Sequence, residues 1–113
     1  MKLDDTKRLL DRNLEESDPM DLLVNVLEAA VELISIEGND FIWSSWSNAD
    51  EALAEVRSLL ARVQSGVLPE RADVAILFAP TGPIQEVSLS SGWAEAFLKV
   101  AERYDYAEQK LWG

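Results

Sequence analysis

The sequence predicts an α+β fold: a small mixed sheet of three strands, a β-α-β unit plus an antiparallel hairpin. Helices pack mainly on one face of that sheet, two from the N-terminal part of the chain and one from the C-terminal part. Three observations carry this. Residues 74–79 are almost continuously apolar, as in a strand covered on both faces. Pro80, Thr81, Gly82 and Pro83 join them to a second run, residues 84–89, as a turn joins the arms of a hairpin. Residues 41–46, FIWSSW, are rich in the aromatic and β-branched side chains that suit a pleated surface.

From the N-terminus, Leu3, Leu9, Leu10 and Leu14 form a sparse helical stripe over residues 3–16, broken by Ser17, Asp18 and Pro19. Asp18 suits an N-cap, Pro19 the first helical position and Asp21 the positive end of a helix dipole. A second helix over residues 19–36 follows, apolar round more than half its circumference and so the most buried. Gly38 and Asn39 supply a left-handed stop. A strand over 31–36 turning through 37–40 is the rival, and the Leu and Ala content upstream favours the helix.

After the strand at 41–46, Ser47 or Asn48 caps a third helix over 49–65, with Asp50 or Glu51 completing a capping box. Ala49, Ala52, Leu53, Val56, Leu59, Leu60 and Val63 share one face of it. Gly66 ends it and Pro69 keeps it from resuming. The strand at 73–79 closes the β-α-β unit, which must cross right-handedly if its strands are parallel neighbours.

Setting Ala79 opposite Ile84 fixes the hairpin register, with Phe78 opposite Gln85, Leu77 opposite Glu86 and Ile76 opposite Val87. Val74, Ile76, Phe78, Val87 and Leu89 then share the face that packs on helices. Ala75, Leu77, Ala79, Ile84, Glu86 and Ser88 share a more polar face. Ser90 or Ser91 starts the last helix, whose seam is Trp93, Phe97, Val100, Tyr104, Ala107 and Leu111. That seam is too short for a coiled coil, so it is expected to pack on the sheet. Tyr106 and Trp112 fall off it. Residues 1–113 read as a single domain.

Composition then removes function classes. The chain has 113 residues, 21 acidic and 10 basic, for a formal charge of −11. Such a field repels phosphate backbones, which argues against nucleic acid as partner. The one basic cluster, Lys2, Lys7, Arg8 and Arg12, alternates with Asp4, Asp5 and Asp11 and reads as a solvated helix face. Histidine and cysteine are both absent. That removes disulfides, zinc ribbons, thiol nucleophiles and Ser-His-Asp pairings within the chain. No cofactor or metal is expected. Met1, Lys2, Leu3, Asp4 and Asp5 place acids where a secretory leader needs a basic start, and the apolar run at 20–36 is interrupted by Asp21, Asn25, Glu28 and Glu32. The expectation is a cytoplasmic protein without a membrane segment.

Any catalysis would rest on carboxylates, Tyr, Lys or Ser. The pairs Glu28/Glu32 and Glu51/Glu55 have helical spacing and read as solvated faces, since a catalytic or magnesium site needs acids converging in a cleft. Thr81 and Gly82 sit in a turn without the lysine or glycine pattern of a phosphate loop. The profile expected is a non-enzymatic acidic module that binds a basic protein, in the manner of an inhibitor or immunity protein that neutralises a toxin nuclease. The candidate partner-binding residues are Trp43, Trp46, Glu86, Gln85, Tyr106 and Trp112. Trp43 and Trp46 fall on opposite faces of an ideal strand, so one is core and the other free for an interface. Two other classes stay open. One is a small-ligand or minor hydrolytic domain using Glu86 with Gln85 or Tyr104. The other is a structural homodimer joined by the 93–111 seam or by a sheet edge.

Overall fold

The helix that the sequence makes most apolar is the axis of the molecule. In the computed structural model, which describes residues 3–113, α2 (Pro19–Ile34) touches α1 (Asp4–Asp11), α3 (Ala49–Gln64), α5 (Pro83–Ser91) and α6 (Ala94–Trp112). Between α3 and α5 lies α4 (Arg71–Phe78), which packs on α5 and α6. A single 3-10 turn, Leu14–Glu16, links α1 to α2. Leu22, Leu23, Val26, Leu27, Ala29, Ala30, Leu33 and Ile34 of α2 are all buried. They join Leu9, Val56, Val74, Leu77, Val87, Val100 and Tyr104 in one apolar cluster.

The α+β expectation is therefore corrected: the described residues form no strand and no sheet. Residues 73–78 and 84–89 belong to α4 and α5, two helices joined by a turn through residues 79–82, and the hairpin register does not exist. A short apolar run has no periodicity that separates a strand from a buried helix. Burial shows the helical period instead. Val74, Leu77 and Phe78 are buried at i, i+3 and i+4, whereas Ile76 is 59% exposed. In α5, Ile84, Val87 and Ser88 repeat the pattern, and Leu89 is 64% exposed. Pro83 sits in the first turn of α5, where its missing N–H costs nothing. Gly92, at φ +87, ends α5 in a left-handed C-cap. Thus Ser90 and Ser91 close a helix and do not open one.

Residues 41–46 are a run of turns. With 74–78 helical, they have no strand to pair with, and an unpaired strand is not stable in water. Hydrogen bonds pin the segment. The Asp40 N–H donates to Ser91 Oγ at 2.8 Å, and the Ser44 hydroxyl donates to the Pro83 carbonyl at 3.3 Å. The readings of α2, α3 and α6 as helices hold within a few residues, and Asn48 is the residue that caps α3, accepting from the Glu51 N–H at 2.9 Å. The stripe over 3–16 is broken into α1 and the 3-10 turn. Lys2, and the reading of the first residues as lacking a leader, lie outside the described residues. Among those residues no helix is long and apolar enough to cross a membrane.

Two groups that read as solvated in the sequence do tertiary work. Arg12 hydrogen-bonds through Nε to Ser17 Oγ at 3.0 Å and through Nη1 to Asn25 Oδ1, fastening the end of α1 to α2. The Glu32 carboxylate on α2 accepts from the Asp5 N–H at 2.8 Å and the Thr6 N–H at 2.9 Å. It therefore caps the first turn of α1 from another helix, where free N–H groups and the dipole both favour an anion. Glu32→Ala is expected to lower stability by about 1–3 kcal/mol. Amide exchange in residues 4–11 should accelerate more than elsewhere. Uniform acceleration would mean that Glu32 does not tether α1 specifically.

Candidate functional site

The last helix carries two stripes. Phe97, Val100, Tyr104 and Ala107 are buried and hold α6 to the core, so the seam considered for a homodimer is used within the chain. Beside it runs a second stripe, Leu98, Ala101, Glu102, Asp105 and Glu108, at i, i+3, i+4, i+7 and i+10 on one face. It forms one wall of a groove of about 360 Å³. The opposite wall is Ala75, Ala79, Pro80 and Gln85, from the end of α4, the turn and the start of α5. Phe78, Phe97 and Tyr104 line its floor. The Phe78 and Tyr104 rings are stacked, with centroids 4.6 Å apart and planes 17° apart.

The turn that builds the second wall is tightly determined. Thr81 has φ +64, a region that β-branched residues avoid. Its N–H donates to the Gln85 side-chain oxygen at 2.6 Å, so Gln85 holds the turn from the first turn of α5. Gly82 lies against the end of α4, where an added Cβ would meet the Ile76 carbonyl oxygen at 2.5 Å and the Ala79 carbonyl oxygen at 2.9 Å.

The electrostatics of the groove are one-sided. Glu108 accepts a hydrogen bond from the Tyr104 hydroxyl at 2.8 Å and pairs with Arg71 at 3.4 Å. Burial, reinforced by Glu108, holds the Tyr104 hydroxyl protonated far above the usual phenol range. The Asp105 carboxyl is raised above the ordinary carboxylate range, first by partial desolvation and then by repulsion from Glu108 and Glu102. Among the described residues, the side chains do not converge into a group of acids able to hold a metal ion.

A second, wider groove of about 540 Å³ lies between α3 and α4, lined by Glu55, Ser58, Leu59, Arg62, Asp73 and Ile76 with Ser45 and Pro83. Its charges are mixed in sign.

The candidate residues read from the sequence do not converge. Trp46 is core, 3% exposed, with its indole N–H donating to Glu55 at 3.4 Å. Trp43 stands out from the α2–α3 connection, 73% exposed, next to Ile42. Tyr106 is half-buried under the Lys110 ammonium, 5.5 Å from its ring centre, and Trp112 is half-buried against the core. Glu86 is half-buried on α5 and lines neither groove, so the pairing of Glu86 with Gln85 or Tyr104 on a sheet face is withdrawn along with the sheet. Gln85 alone of the six reaches the α4–α6 groove. Glu102, Asp105 and Glu108 were missed. Their signal was the spacing of acids directly beside the seam, continuing an exposed Leu98. Trp93, expected in the core, is half-buried and donates its indole N–H to Asn39 Oδ1 at 2.8 Å. The Asn39 amide in turn caps the Leu33 and Ile34 carbonyls at the end of α2.

No family model, no curated protein and no solved structure matches this chain.

Proposed function

We propose that this chain is a non-enzymatic binding module that meets a basic protein through its acidic helical surface, as an inhibitor or immunity protein meets the toxin nuclease it neutralises. The observation that carries the reading is the acid-walled groove along α6, in which carboxylates stand beside apolar surface. Charge bookkeeping supports it. Among the described residues Asp5–Arg8, Glu108–Arg71 and Glu95–Lys99 form ion pairs, and most of the 21 acids have no cationic partner there. An uncompensated field of this kind repels phosphate, draws basic proteins and raises their association rates.

The reading is tested by capture from a native lysate on the immobilised chain, at a Debye length of about 30 Å and again at about 3 Å. A basic protein held at low salt and released at high salt is the expected result. A partner retained equally at both, or one that is itself acidic, contradicts it.

A further inference from the structure

The α6 stripe joins two chemistries that a basic side chain also joins. Leu98 is 58% exposed although apolar, and Ala101 follows it one turn on. Glu102 and Asp105 come next along the same wall. At its far end the wall already holds a cation of the chain's own, the Arg71 guanidinium, 3.4 Å from Glu108. A guanidinium is planar and weakly hydrated, suits paired carboxylates and lies well on aromatic or aliphatic surface. An ammonium is a hydrated point charge.

We propose that the α4–α6 groove seats an arginine side chain of the basic partner, its alkyl stem along Leu98 and Ala101 and its guanidinium on Glu102 and Asp105. The inference rests on the binding-module reading and adds to it a location and a preference for arginine over lysine. The occupant follows from charge complementarity: at the free end of the groove Glu102 and Asp105 pair with no cation among the described residues, and the occupied end holds an arginine. The crowding of Asp105 against Glu102 and Glu108 agrees with this, because an incoming cation relieves that repulsion.

Partial desolvation, together with that crowding, raises the Asp105 carboxyl and supplies a control for folding. A carboxyl whose folded-state value is raised binds its proton more tightly in the folded state than in the unfolded one. Its contribution to stability is present below the ordinary carboxylate range and is lost as pH rises through the raised value. At neutral pH, Asp105→Asn should therefore leave the fold as stable as before or more so. A urea midpoint of E102Q/D105N no lower than that of the unaltered chain then separates loss of binding from loss of fold.

The experiment is calorimetric titration of the full chain with hexa-arginine and with hexa-lysine at low salt, on three proteins: the unaltered chain, E102Q/D105N and E15Q/E16Q. The last pair removes the same charge from the exposed 3-10 turn. Expected are tighter binding of hexa-arginine than of hexa-lysine, and about tenfold weaker binding in E102Q/D105N. E15Q/E16Q should weaken it only about twofold, by reducing net charge. Equal weakening in the two variants, or no preference for arginine, overturns the groove assignment and leaves the acidic-surface reading standing. An unaltered chain that binds neither peptide overturns both.

Discussion

Gly82→Ala is expected to destabilise the fold by about 3 kcal/mol, a large share of the roughly 5–15 kcal/mol that holds a domain together. The backbone at Gly82, φ −77 and ψ 175, is open to any residue, so the cost is not conformational. It is one of space. The added methyl meets two backbone carbonyl oxygens, of Ile76 and Ala79, and neither can rotate away as a flexible side chain would. Relief requires α5 to move off the end of α4, which would also displace the Pro80 and Gln85 wall of the groove. A drop in the urea midpoint, with the largest amide shifts in residues 76–86, is the expected outcome. An unchanged midpoint would show that the close approach of turn and helix is not present in solution.

Phe78→Ala is expected to cost about 3–5 kcal/mol, while Ile76→Ala, two residues away, should stay within about 0.5 kcal/mol. Phe78 is 4% exposed and stacked on Tyr104, whereas Ile76 points to solvent. The contrast separates two architectures. In a strand, residues 76 and 78 share a face and both would be costly to truncate. In α4 they lie roughly 200° apart, and only one is buried. Equal and large losses in urea unfolding would restore the strand and contradict the helical account.

The legible parts of this chain were those where helical signals agreed. In α2 and α3, Asp18 with Pro19 and Asn48 mark the starts, Asp21 in one and Asp50 and Glu51 in the other lie in the first turns, and each helix runs for sixteen residues. The seam of α6 was legible for the same reason. Residues 71–91 were not, because α4 and α5 span eight and nine residues, lengths at which an apolar run suits a strand equally well. In the sequence, Pro80 and Pro83 look alike as parts of one turn. Only tertiary context shows that Pro83 already belongs to a helix while Pro80 follows one.

The change of fold also moves the site. A sheet face placed Glu86 at the centre and gave Trp43 and Trp46 opposite sides. The helices instead put Gln85 on the groove, leave Glu86 outside it, and move the weight to Glu102, Asp105 and Glu108. Glu32 shows the complementary failure. A carboxylate at i+4 from another on a helix reads as solvated, and nothing local reveals that the first turn of α1 folds back onto it.

The most direct test of a basic partner docking on α6 is a two-dimensional amide spectrum of the labelled chain, titrated with hexa-arginine at low salt. The account predicts shifts concentrated in residues 98–108 and in the 79–85 turn, with the 3-10 turn and α3 little changed. Shifts spread evenly over the acidic surface, or centred on Trp43 and the α3–α4 groove, would contradict it.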